Sequence, residues 1–265
     1  MDRKIFIGFF VLFHIIASAQ GIDDNILKQK IYYEVKQLSQ FIDRFNYDEK
    51  ILTPDKKILS RKQNLETLFD LKDSLLVRNP ETIQFINCVY NDSNHVKLSF
   101  SEKDFFAAVN CKFLYHDKEK LLKIIMKPEG NSKSGYSWVI CGAQGEILNL
   151  SKAKKNDTTF INPMNHEVGF SELSKALNNK INISTYTSSR FHNSTLSVFL
   201  NLIQSGDLKF KQIDSIEYIF LQIPNWIFTV QNFNRNSFNS GWLISSVLNM
   251  KDIEKEKFKK NICEY

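Results

Sequence analysis

Apolar residues before Val96 recur every three or four positions, after it they alternate, and the second half of the chain goes through the same change again. A helical period of about 3.6 and a strand period of two cannot be served by one element. The order is therefore helices, then strands, twice over. Runs of helices followed by runs of strands predict an α+β fold with helices packed on curved antiparallel sheets, not alternating βαβ units.

Leu27, Ile31, Val35, Leu38, Ile42 and Phe45 share one helical face and predict a helix over 24–45, with Asp23 or Asp24 as its cap. Leu65, Leu68, Phe69, Leu75 and Leu76 predict a second helix from Arg61 to Leu76. Asn79-Pro80-Glu81 places a cap, a first-turn proline and an acid at the start of a third helix through Val89. The alternation of Ile83, Phe85, Asn87 and Val89 also fits a strand there.

Phe105, Ala107, Val109, Cys111, Phe113 and Tyr115 line one face of a strand. His116 to Lys120 turns it, 121–127 returns, and Tyr136, Trp138 and Ile140 face one way on a third strand. In the second half, Asn165 to Gly169 leads into a short helix at Glu172 to Asn178, and Asn193 or Ser194 caps a helix that Gly206 ends. Strands follow at 208–223, 226–233 after the Pro224-Asn225 turn, and 242–248. This divides the chain into a leader, 1–19, an α+β domain, 20–150, and a smaller α+β module, 151–265. The passages 122–140 and 228–244 share an alternating strand, an Asn/Ser loop, and Ser-Gly shortly before a tryptophan, Trp138 or Trp242. They read either as a structural repeat or as two hairpins using the same turn chemistry. In either case both tryptophans are expected on the inner face of a closing strand.

Asp2, Arg3 and Lys4 precede the apolar run Ile5 to Ala17, and Ala17-Ser18-Ala19 supplies small residues at a cut before Gln20. This is the pattern of a secretory signal peptide, too short to span a bilayer as an anchor. The expected product is periplasmic or secreted, with no stable membrane insertion after cleavage. The full chain's 43% apolar residues, including 22 Phe, suffice for a sizeable core. The net charge of +6 is spread among interspersed acids, and clusters such as Lys255, Lys257, Lys259 and Lys260 read as solvated faces, so nucleic acid is not an expected partner.

Cys88, Cys111, Cys141 and Cys263 match no metal or redox spacing and allow up to two disulfides. In a simple meander the strands of Cys111 and Cys141 lie a whole strand apart, roughly 9 to 10 Å, beyond disulfide reach. Cys111 is then expected to be buried and not joined to Cys141, while Cys88 with Cys263 stays open.

The amphipathic first helix, two shorter helices and a hairpin ending KPEGNSKSGYSWVICGAQGEIL resemble the nuclear transport factor 2-like superfamily over residues 22 to 150. The resemblance implies an α+β cone able to hold a small ligand, as in many exported bacterial proteins. Some members are isomerases or dehydratases, but no catalytic residue of theirs maps onto this chain, and fold alone does not give function.

No HExxH, GxSxG, CxxC, P-loop or dinucleotide fingerprint is present. The weak candidates for a site are His166, Glu167 and His192, two imidazoles and a carboxylate of the kind that binds zinc or relays protons. Tyr32, Tyr33, Glu34, Asp43 and Arg44 lie on or beside the first helical stripe, where one or two could face a cavity. His95 and His116 fall in loops. No cofactor or metal is expected. The sequence thus favours an exported, non-catalytic binding or scaffold protein for an unidentified protein or small ligand. The competing expectation is a small-molecule enzyme of the isomerase or dehydratase type working in a cone-shaped pocket. An inhibitor of an envelope enzyme fits the size but has no residue signature.

Overall fold

The structure, a computed structural model, describes residues 32–53, 55–91, 96–100, 104–131, 135–149 and 194–263. Four short helices lie whole within the described residues ahead of the sheet: α1 Leu38–Phe45, α2 Arg61–Glu66, α3 Ser74–Arg78 and α4 Pro80–Tyr90. Strands β1 Phe105–Tyr115, β2 Lys118–Asn131 and β3 Gly135–Gln144 form a meander. Helix α5 Thr195–Gln204 leads into β4 Leu208–Phe220, β5 Trp226–Phe233 and β6 Gly241–Asn249, and α6 Asp252–Ile262 follows. The two meanders join through β1 and β4 into one antiparallel sheet of order β3-β2-β1-β4-β5-β6, so the fold is α+β.

The pairings line up one row of residues across all six strands: Ile140, Met126, Ala107, Tyr218, Val230 and Ile244. The row ends in an isoleucine on both edge strands, and each outer hairpin carries a bulge just beyond it, at Cys141 in β3 and at Ser245 in β6. Two further bulges in β4 fall at Lys211 and Asp214, whose side chains pair with Glu119 at 2.7 Å and Lys112 at 3.1 Å. An extra residue re-aims a side chain; here it turns two charges toward partners on the neighbouring hairpin.

Helices cover one face of this sheet unequally. The first four lie over its β4-β5-β6 half, where Phe45 stacks on Phe228 at 5.6 Å and Phe228 on Phe220 at 4.9 Å. Over the other half, α5 brings Phe199 edge-on to Phe113 at 5.8 Å, above Val109, Ile124 and Ala143. The opposite face packs Phe106, Ala108, Ile125, Ile219 and Ile227 against Phe258 and Ile262 of α6.

Caps explain where the helices start. Asn79 accepts from Glu81 N, Ser194 from Ser197 N, and Ser60 with Gln63 forms a reciprocal capping box. The strand alternative for 83–89 is thus corrected to helix.

Two other helical expectations are corrected. The helix predicted over 24–45 is interrupted: Tyr32 and Tyr33 are helical, Val35 leaves the helix to pair parallel with Gly241, and helix resumes in α1 from Leu38; residues before 32 lie outside the described chain. Helix 61–76 stops at Glu66, and Phe69 pairs parallel with Ile244 before Asp73 caps α3. In both places a distant strand edge satisfies the backbone better than another helical turn would. Gly241 sits at φ 87°, and a Cβ there would lie 2.1 Å from the Val35 carbonyl oxygen. Only glycine fits so close an approach in that conformation.

Cys141 is joined to Cys263, while Cys111 is buried and free and Cys88 exposed and free. Cys263 is therefore spoken for, closing the Cys88 alternative, and the expected separation of Cys111 from Cys141 holds. The basic cluster at 255–260 is only half a solvated face. Positions 255 and 259, one helical turn apart, point inward: Lys255 donates to the Leu221 and Ile223 carbonyls, and Lys259 pairs with Asp104 and Glu256. Burial alone would lower the Lys259 pKa, but hydrogen bonds to Asp104 and Glu256 carry it above the ordinary lysine value. Of the two tryptophans expected inside, Trp242 packs partly buried against the core, whereas Trp138 is 41% exposed. Both flank Tyr218, with ring centroids at 4.9 Å and 6.1 Å.

Candidate functional site

On the outer side of the helical layer, α2 and α4 diverge and leave an open groove of about 820 Å³. Phe69 forms part of its lining, and Ile83, Ile86 and Val77 supply apolar wall. The groove exists because α4 carries apolar residues on both faces. Phe85 and Val89, one turn apart, are buried in the core, and Phe85 meets Phe69 at 6.2 Å. Ile83 and Asn87 take the other side and line the groove, with Ile83 51% exposed, and Ile86 borders both the groove and the core. A helix with a single core stripe would be polar there.

One rim is built by contacts from afar. Asn239, buried in the β5–β6 loop, accepts from Leu71 N at 3.0 Å and donates to the Phe69 carbonyl at 2.9 Å. Arg235 pairs with Asp70 and donates to the Asn239 carbonyl, so the loop and the segment after α2 are locked together. Phe238 on this loop then meets Tyr33 edge-on at 6.0 Å across the groove mouth. Tyr33 is placed in turn by buried Arg44, which donates to the Tyr33 carbonyl at 2.9 Å, the Tyr32 carbonyl at 3.3 Å and Glu49 at 2.9 Å.

The polar equipment of the groove is sparse. Lys62, Gln63 and Glu66 come from α2, and Gln63 is already engaged by the Ser60 backbone in the capping box. Thr82 belongs to the groove lining yet is only 2% exposed, and its hydroxyl has no hydrogen-bond partner. A buried hydroxyl without a partner costs about 1–3 kcal/mol.

The groups whose ionisation the fold perturbs lie elsewhere. Burial raises the pKa of the Cys111 thiol and of Tyr218, both in the sheet, and Asp252 is lowered by the Asn225 N–H and by Lys255 at the start of α6. Among the described residues no three His, Cys, Asp or Glu side chains are grouped to hold a metal.

The candidates His166, Glu167 and His192 lie outside the described residues, as does His95. His116 sits in the β1–β2 turn at φ 47°, against Tyr115. Of the residues beside the first stripe, Tyr33 lines the groove, Arg44 positions it, and Asp43 is exposed. Sequence reasoning missed Thr82, Ile83 and Ile86; the available signal was the run of apolar residues on both faces of a single helix. Comparison with known proteins finds no matching family model, no matching curated protein and no matching solved structure.

Proposed function

We propose that this chain is an exported binding protein and that it holds its ligand, unchanged, in the groove between α2 and α4. The observation that carries the reading is an open groove of about 820 Å³ whose walls are built mainly from apolar side chains. That size falls within the roughly 300–1,000 Å³ of small-ligand sites, which are mostly apolar with few polar groups. Lys62, Glu66 and Tyr33 are its ionisable lining residues, and among the described residues no hydrogen bond joins any two of these side chains in the relation of nucleophile, base and orienting group that covalent catalysis uses. Export is supported by the leader pattern at 1–19 and by a disulfide, which persists mainly in oxidising compartments. Among the described residues no helix is long and apolar enough to cross a membrane.

The test titrates an uncharged naphthylamine dye into the full protein and follows its fluorescence. Saturable binding is expected, weakened about tenfold or more in Ile83→Arg, which charges the groove wall. The melting temperature should barely move, since Ile83 is exposed. Equal dye binding by the variant would overturn the assignment of the groove.

A further inference from the structure

The groove does not end at its apolar walls. A second cavity of about 450 Å³ adjoins it and shares Tyr33, Leu59 and Gln63 with it. On the groove side of these three residues the lining includes Phe69, Leu71, Val77 and Ile83; on the other side it changes to Thr53, Asp55 and Lys57, with Ile58. Thr53 and Lys57 are tied to each other: Lys57 N donates to the Thr53 hydroxyl at 3.1 Å and Thr53 N to the Lys57 carbonyl at 2.8 Å. Two opposite charges, Asp55 and Lys57, thus line one small polar chamber beside an apolar one. Gln63 stands where the chambers meet, and its capping box sorts its amide. Ser60 N donates to it at 3.1 Å. A backbone N–H can only donate, so the atom it meets is Oε1, and the two Nε2 hydrogens take no part in the cap.

We propose, resting on the groove reading above, that the two cavities form one site and that its ligand is a single-chain amphiphile with a zwitterionic head. Its alkyl or acyl chain lies in the apolar groove, an acceptor oxygen meets Gln63 at the junction, and the head lies between Asp55 and Lys57. The division of the lining decides the class. A wholly apolar ligand would take water from Asp55 and Lys57 and give nothing in return, which is expensive for charges. A wholly polar one would forgo the burial of Val77 and Ile83. Charge then selects the head. A head with one charge is attracted by one of the two residues and repelled by the other, whereas an ammonium and an acid on the same head each meet their opposite. Half-buried Tyr33 adds an aromatic ring beside the chamber, a surface that attracts ammonium groups. The Nε2 hydrogens of Gln63 suit an ester or phosphate oxygen that links chain to head.

The experiment displaces the naphthylamine dye from the full protein with dodecylphosphocholine, dodecyltrimethylammonium, dodecanoate and dodecyl maltoside, each below the concentration at which it forms micelles. We expect the phosphocholine to displace the dye at concentrations about tenfold or more below those of the other three. Gln63→Glu keeps the acceptor of the capping box and removes the donors. It should melt near the parent protein and weaken the phosphocholine about tenfold against the dye. Lys57→Glu, at an exposed position, should also melt near the parent and shift the preference to the trimethylammonium chain. Dye binding with equal displacement by all four chains, with none by the phosphocholine, or with a preference that neither variant alters would overturn this proposal and leave the groove standing. Calorimetric binding of the phosphocholine that leaves the dye in place would put the amphiphile elsewhere and overturn it too. Failure of the dye itself to bind would remove the groove reading and this proposal together.

Discussion

The β2–β3 and β5–β6 hairpins bulge at corresponding places, yet the bulged residues do different things. Ser245 in β6 turns back into its own sheet and meets the Thr229 hydroxyl at 2.8 Å. Cys141 in β3 turns out to the opposite layer and is bonded to Cys263 at the end of α6. The half around β6 is held by four helices, by two backbone bridges and by the Asn239 knot. Among the described residues the half around β3 has α5 and a covalent bond. Register is a local property of a hairpin, set by its turn and bulge, while coverage depends on which distant segments arrive. One strand pattern can therefore support two unlike surfaces.

The largest expected effect breaks the covalent support. For a crosslink between residues 122 apart, replacing Cys263 by serine should cost about 4–5 kcal/mol in denaturant melts under oxidising conditions. Ser245→Ala, at the corresponding bulge, should cost about 1 kcal/mol or less. Similar losses in both would mean that the bulges play the same part.

Next comes the pair of edges. Gly241→Ala combines a left-handed backbone with a Cβ driven into the Val35 carbonyl, and should cost about 2–4 kcal/mol. Ser137→Ala on exposed β3 should stay within about 0.5 kcal/mol. A tolerated Gly241→Ala would show that the Val35 bridge contributes little.

The matched tryptophans sharpen the comparison further. Trp242→Ala should cost about 2–3 kcal/mol and Trp138→Ala about 1 kcal/mol, scaled from buried aromatic truncations by exposure. Thermal melts of the two variants decide it.

The smallest effect lies where the halves meet. Lys259 ties α6 to Asp104 just before β1, and its pKa is raised in the folded chain. Its contribution is full below the unfolded lysine value of about 10.4 and is lost as pH rises through the higher folded value. Stability should fall in that alkaline window, and less so in Asp104→Asn. An identical alkaline profile in the variant would remove the pair from the account.

Much of this was written in local signals. Asn79-Pro80-Glu81, Ser194 and Gly206 mark helix ends, and the alternation from Phe105 to Tyr115 gives β1 its faces. The breaks in the first two helices were not legible, because Val35 and Phe69 obey helical spacing while their partners, Gly241 and Ile244, lie far along the chain. Lys255 shows the same limit: a lysine in a basic run reads as solvated until the carbonyls of Leu221 and Ile223 are brought to it. The groove needed both kinds of information, since Ile83 is visible as an apolar residue off the core stripe but Phe238 reaches it only through Asn239.

The link from Cys141 to Cys263 also gives the chain a ring. A protease that cuts the backbone once anywhere inside it makes a nick and not two molecules, because the pieces on either side remain joined through sulfur. Nicked and intact protein would then have nearly the same mass without reductant and separate into fragments only when it is added. The ring is also where the chain can be reopened with new ends, as in a two-piece version assembled from separately made fragments and sealed by oxidation.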